Sequence, residues 1–300
     1  MSKITLLDGG MSRELQRAGA VLRQPEWSAL ALIEAPDAVR KAHEAFLGAG
    51  AEVITTNSYA VVPFHLGQER FDKEGLALAR EAASLARAAA DGFAGSRVAG
   101  CLPPPCGSYM PEAFSDAEAG PILATLVQAM TPDVDFWLGE TLSSLAEARA
   151  VSEAIHGTQK PLWLSFTLRD GQGAEAEAPL LRSGESVAQA AALALELGAE
   201  ALLFNCSMPE VMSPAIEAAR AAMGDKALPI GVYANAFTSQ DEDGAANEVI
   251  SQVRPDLTPV GYLDWADRWV ASGATMVGGC CGIDAPHIAA LAAHFKRDQA

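Results

Sequence analysis

Eight short apolar runs, spaced through the chain with helical patterns between them, constrain the fold more than any other feature. They are ITLLD (4–8), EVITTN (52–57), RVAGC (97–101), VDFWLGE (134–140), PLWLSFT (161–167), EALLFNC (200–206), PIGVYAN (229–235) and ATMVGGC (274–280). None alternates polar with apolar as a half-exposed strand does. Near-continuous apolar runs suit strands buried on both faces of a parallel sheet. Helical patterns occupy residues 36–49, 69–90, 143–155, 186–197, 209–223, 263–272 and 285–294. GAG at 48–50, LGAE at 197–200 and SGAT at 272–275 each end a helix and feed a strand. Eight such units in about 280 residues predict an α/β fold of the (β/α)8 TIM-barrel type, one barrel domain over residues 1–300. A doubly wound open sheet is the alternative, but the first strand runs into DGGMSRE rather than GxGxxG. Two looser segments, 102–115 and 169–185, follow predicted strands and belong to the rim where barrel active sites sit.

The chain has 300 residues, is half hydrophobic and carries a formal charge of -17. That balance disfavours nucleic acid or an anionic membrane as partner, since both select basic patches. It leaves small molecules as the expected substrates. No apolar run approaches the ~20 residues of a membrane span, and MSKITLLDGG does not read as a secretory signal. Five cysteines, an odd and low number, fit a reducing compartment, so a cytoplasmic location is expected.

In a barrel, the strand ends bring distant residues to one rim. Those ends carry Asp8-Gly9-Gly10, Thr55 through Tyr59, Glu140, Asn205-Cys206, Tyr233 through Asn235, and Cys280-Cys281. Cys206 is 74 residues from Cys280 in sequence but two strands away around a barrel. Three thiols meeting there read as a zinc site with one open position, because thiolates select zinc and a catalytic centre keeps a place for substrate. Glycines flanking Cys280-Cys281 let the chain turn so that adjacent side chains need not diverge. Two other readings stand beside this one: small buried apolar cysteines, and a strained vicinal disulfide. Asp8 also reads as a turn residue and Glu140 as a helix-terminus carboxylate. Cys101 and Cys106 are read as structural. His43 and His294 fall within helical patterns and are read as helix residues, and His287 in DAPHI is read as part of a helix start signal.

The sequence resembles the homocysteine S-methyltransferases. The matching stretches are LLDGGMSRELQRAG from residue 6, EVITTNSY at 52–59, LGETLSSLAEA ending at 148, LWLSFTLRDG at 162–171, LFNCSMPE at 203–210, GVYANA at 231–236 and VGGCCGIDAPHI at 277–288. The resemblance is strongest to single-domain members that use S-methylmethionine or S-adenosylmethionine. It implies that Cys206, Cys280 and Cys281 bind Zn2+, with the homocysteine sulfur as fourth ligand. It implies that Asp8, the backbone near Gly9 and Gly10, and Glu140 hold the amino-acid end of the substrate. Thr55, Asn57 and Tyr59 would line the same mouth, and Asn235 would be an auxiliary contact. The implied reaction makes methionine, the nucleophile is the metal-activated substrate thiol, and no protein base is required. Two alternatives are a methyltransferase for a related thiol or selenol such as selenocysteine, and a non-catalytic zinc- or thiol-binding barrel. One stretch departs from the family: CLPPPCGSYMPEAF replaces a glycine-rich GPYG-type segment after strand 3, with Gly107 and Tyr109 its nearest counterparts. No folate or cobalamin module is expected, and a monomer or small homo-oligomer is.

Overall fold

The computed structural model describes residues 3–171, 173–226, 228–237 and 253–296. All eight apolar runs form strands: β1 Thr5–Leu6, β2 Val53–Thr55, β3 Arg97–Leu102, β4 Phe136–Leu142, β5 Leu162–Phe166, β6 Ala201–Asn205, β7 Ile230–Tyr233 and β8 Met276–Val277. Every neighbouring pair is parallel, in the order β1-β8-β7-β6-β5-β4-β3-β2. A bridge between Leu7 and Val53 joins the two ends of that order. The sheet is therefore a barrel rather than an open doubly wound sheet. β1 and β8 are shorter than their apolar runs, and beyond them Gly278 N–H still bonds the Val232 carbonyl and Gly279 N–H that of Asp8 as the chain reaches the rim.

Side chains alternate between two cores. Leu7, Val53, Ala99, Phe136, Leu138, Trp163, Ala201, Leu203, Tyr233 and Met276 fill the barrel interior as one cluster. The alternate residues, such as Trp137, Leu164, Leu202 and Phe204, face the helical layer. At the N-terminal mouth, the Arg97 guanidinium lies 5.1 Å from the Phe136 ring centre and 5.0 Å from that of Trp163.

The helices are α1 Met11–Arg17, α2 Ala29–Glu34, α3 Pro36–Gly48, α4 Pro63–Leu66, α5 Gln68–Ala90, α6 Asp116–Met130, α7 Leu145–Ala154, α8 Val187–Glu196, α9 Met212–Met223, α10 Pro259–Ser272 and α11 Ala285–Phe295. Ser144 with Glu147 and Ser186 with Gln189 close capping boxes on α7 and α8. α10 begins earlier than the expected 263, where Thr258 caps the backbone N–H of Gly261 ahead of Pro259. The helical patterns also omitted α1, α2, α4 and α6. Gly120 and Pro121 mask α6 in sequence, yet Ala119, Ile122, Leu123, Leu126, Val127 and Met130 form a continuous buried stripe. His287, in the DAPHI start signal, caps α11 together with Asp284, and its other ring nitrogen bonds the Leu257 carbonyl. No helix among the described residues is long and apolar enough to cross a membrane.

Candidate metal and substrate site

The C-terminal ends of the strands enclose a cavity of about 160 Å³. Every residue expected at the site lines it: Asp8, Gly9, Gly10, Thr55, Asn57, Tyr59, Glu140, Cys206, Asn235, Cys280 and Cys281. Thr141, at the same strand end as Glu140, lines it too, and sequence reasoning passed over Trp27, Ser108 and Phe237, which also do.

Backbone pairing at the ends of β6, β7 and β8 assembles the thiols. Cys206 N–H donates to the Tyr233 carbonyl, Cys280 N–H to that of Ala234, and Ala236 N–H to that of Cys281. Cys206 itself adopts a left-handed conformation, φ +51°, unusual for a side chain with Cβ. Gly282, at φ +83°, turns the chain just after the cysteine pair. The first loop seats against this turn: Gly10 N–H bonds the Ile283 carbonyl at 2.7 Å. A Cβ on Gly10 would lie 2.4 Å from the Cys280 carbonyl oxygen, so only glycine permits the approach. From the other side, Arg17 pairs with Asp284 at 2.8 Å and Ala285 N–H donates to Glu14, which ties α1 to the start of α11.

The three sulfurs lie within 4.8 Å of one another and form the one group of His, Cys, Asp and Glu among the described residues that could hold a metal. Cys206 and Cys281 are 3.7 Å apart and Cys206 and Cys280 are 2.7 Å apart. The Cys280 and Cys281 thiols hold Cys206 well below the usual thiol range, whereas their bonding to Cys206 pushes both of them up. The cluster thus favours a single thiolate, on Cys206. A tetrahedral zinc centre with bonds of ~2.3 Å needs sulfurs ~3.8 Å apart. The Cys206–Cys281 pair already meets that, and Cys280 reaches it by moving outward about 1 Å. No other protein atom needs to enter a three-sulfur set, and the cavity lies open beside it.

Two carboxylates share the cavity. Asp8 is 8% exposed; it accepts the Thr55 backbone N–H at 2.7 Å, yet burial raises it well above the usual carboxylate range. Burial likewise pushes Glu140 up to about 7, with the nearby Cys206 adding to the shift. Glu140 and Thr141 both reach the cavity because β4 carries an irregularity. Its register against β5 slips between Gly139 and Leu142, and Thr141 sits at φ +60°. Neither Lys nor Arg lines the cavity among the described residues. The two carboxyls therefore face the cavity with no cationic side chain beside them there.

The other predicted residues are partly engaged with the protein itself. Thr55 braces Asp8, Asn57 donates to the Ser28 carbonyl at 3.0 Å, and the Tyr59 hydroxyl bonds Ser108 at 2.7 Å. Asn235 accepts the Phe237 N–H through Oδ1. The buried Tyr233 side chain lies beside Glu140 and Ser165. Cys101 does more than pack. Its thiol donates to Glu140 at 3.1 Å, a contact that no local spacing announces. Cys106 is half-buried, with its sulfur 3.9 Å from the Ser115 carbonyl. The divergent loop after β3 supplies Tyr109, φ +63°, whose ring lies under the Arg182 guanidinium at 4.4 Å.

A sequence profile described as homocysteine S-methyltransferase matches residues 5–295. The chain is 29% identical to the homocysteine S-methyltransferase of Escherichia coli K12, over 97% of this chain and 94% of that protein. It is 27% identical to a selenocysteine methyltransferase of Astragalus bisulcatus, over 93% of this chain and 88% of that one. A crystal structure of the E. coli homocysteine methyltransferase MmuM in its metallated form superposes with a TM-score of 0.78 at 27% identity, covering 97% of this chain and 96% of that chain. Barrel, thiol cluster and a profile match spanning nearly the whole sequence agree, and the chain belongs to the homocysteine S-methyltransferase family.

Proposed function

We propose that this enzyme transfers a methyl group from a sulfonium donor, S-methylmethionine or S-adenosylmethionine, to the thiol of L-homocysteine, giving methionine. The observation that carries the reading is the three-sulfur cluster beside the Asp8 and Glu140 carboxyls in one cavity. Cys206, Cys280 and Cys281 would hold zinc and leave a fourth position for the substrate sulfur. Zinc bound there would let a thiol of ordinary pKa ~8.5 be present as thiolate at neutral pH. Glu140 and Asp8 then pair with the substrate ammonium. That cation supplies what burial withholds, and Glu140 returns to the carboxylate form as the amino acid binds. Gly9 and Gly10 bring backbone to the same amino-acid end. Thr55 keeps Asp8 aimed, while Asn57 and Tyr59 fix the wall through Ser28 and Ser108. Asn235 has its amide N–H₂ to offer to a ligand, since its oxygen is occupied.

In the reaction the homocysteine sulfur attacks the donor's methyl carbon in line. A new S–C bond forms, the old C–S bond breaks, and its electron pair stays on the donor sulfur, which leaves as a neutral thioether. The thiol proton goes to solvent when the substrate binds. Trp27, Tyr59, Tyr109 and Phe237 around the cavity suit a cationic donor through their ring faces. A selenol acceptor is the second reading, favoured by the likeness to the Astragalus selenocysteine methyltransferase. A purely metal-storing barrel has no use for Asp8 and Glu140.

The test is a donor panel of S-methylmethionine, S-adenosylmethionine, betaine and methylfolate, each with homocysteine or selenocysteine, on zinc-loaded protein prepared under reductant. Methionine formed from a sulfonium donor is the expected result. Turnover only with betaine or methylfolate, or with none, refutes the proposal.

A further inference from the structure

Asn205 precedes Cys206 at the end of β6 and is fully buried. Its amide is held at both ends by hydroxyls from neighbouring strands. Ser165 Oγ on β5 donates to Oδ1 at 2.7 Å, and Nδ2 donates to Thr141 Oγ1 on β4 at 2.8 Å. The second Nδ2 hydrogen faces Cys280 Sγ at 3.9 Å. Ser165 and Thr141 are likewise buried, at 0% and 2% exposure. Thr141 is a β-branched residue at φ +60°, held there by the register slip in β4. Backbone strain of that kind persists only where the surroundings enforce it.

Both hydroxyls can donate or accept, so neither alone decides which way the amide points. The sulfur decides. A thiolate accepts hydrogen bonds and repels a carbonyl oxygen, so Nδ2 must face Cys280 once that sulfur is ionised. We propose that Asn205, fixed by Ser165 and Thr141, is a positioning residue for the metal thiolate of Cys280. It supplies an N–H to one of the three sulfurs and to no substrate atom. The bond draws charge from Cys280 and holds its rotamer, as outer partners of metal ligands do. This inference rests on the reading of Cys280 as a ligand.

Cobalt(II) separates the two. In the wild-type protein, cobalt should give sulfur-to-metal charge-transfer absorption. Asn205→Asp keeps the volume but turns an oxygen toward the thiolate. It should move that absorption to lower energy and weaken cobalt affinity, measured by chelator competition, by about 10- to 100-fold. Ser165→Ala touches neither metal nor cavity. It leaves Oδ1 buried without its donor and should shift the band the same way, with a smaller loss of affinity. Circular dichroism and thermal melts confirm that the barrel is intact, and Ser165→Ala carries the test if the Asp variant does not fold. Spectra and affinities within twofold of wild type in the folded variants overturn the role of Asn205. A wild-type protein that gives no sulfur-to-cobalt absorption overturns the ligand reading itself, and this inference with it.

Discussion

The two mouths of the barrel are built on opposite principles. At the N-terminal mouth, Phe136 and Trp163 stack with centres 4.2 Å apart and Arg97 lies across both rings. Apolar area is buried, Arg97 is exposed, and the carboxylates at this end, Glu52 and Asp135, are paired with Lys3 and Arg87. At the C-terminal mouth, buried Asp8 and Cys206 and half-buried Glu140, Cys280 and Cys281 share one cavity, and no Lys or Arg lines it among the described residues. The first arrangement stabilises the fold. The second costs stability, since burial alone pushes both carboxyls up. A barrel can hold such a rim because its other end and its helical layer supply the packing energy. The difference marks the C-terminal mouth as the candidate site without appeal to any relative.

That contrast can be broken from either end. The largest effect belongs to the thiols. Cys206→Ala or Cys281→Ala should remove metal retention and lower turnover by more than about 10³-fold, while the barrel still folds. Metal analysis alongside circular dichroism reads both. Activity surviving either change dissolves the contrast. Next comes the opposite mouth. Phe136→Ala should cost about 3–5 kcal/mol in denaturant unfolding and leave bound metal per folded chain unchanged.

Glu140→Gln should act in two directions at once. Losing the charged partner of the substrate ammonium should lower kcat/KM for homocysteine by about 10- to 100-fold, from ~1.5–3 kcal/mol for a charge-assisted bond. The folded carboxyl sits near 7, above its unfolded value of 4.5, so folding favours the neutral form. Its contribution is fully present below pH 4.5 and is lost as pH rises through 7. Above pH 7, therefore, the variant should be more stable than wild type, by up to about 3 kcal/mol. Homocysteine affinity in the wild type should fall as pH drops below 7, because the free protein then holds Glu140 neutral. Titrating binding against pH for both proteins checks the sign. The smallest effect is Arg97→Met, expected to cost about 0.5–1 kcal/mol and no activity.

The same contrast explains what could be read from sequence. Strands buried on both faces leave continuous apolar runs, so all eight were visible, and with them the barrel. Cys206, Cys280 and Cys281 could be placed on one rim because they lie at the C-terminal ends of the sixth and eighth apolar runs. The helix at Asp116–Met130 was hidden by Gly120 and Pro121, whose local preference lost to a buried apolar stripe. Contacts that depend on side chains crossing between strands left no mark. The Cys101 bond to Glu140 and the Ser165–Asn205–Thr141 chain join residues 39 to 64 positions apart. The slip in β4 that turns Thr141 into the cavity is equally silent, since nothing in LGETL signals an extra residue.

The central claim is that three thiols hold a metal whose remaining position takes the substrate sulfur. X-ray absorption at the zinc edge tests it directly, on zinc-loaded protein with and without homocysteine. The account predicts three sulfurs at ~2.3 Å and one lighter atom in the free enzyme, and four sulfurs once homocysteine binds. Fewer than three sulfurs in the free protein, or a sulfur count unchanged by saturating homocysteine, would contradict it.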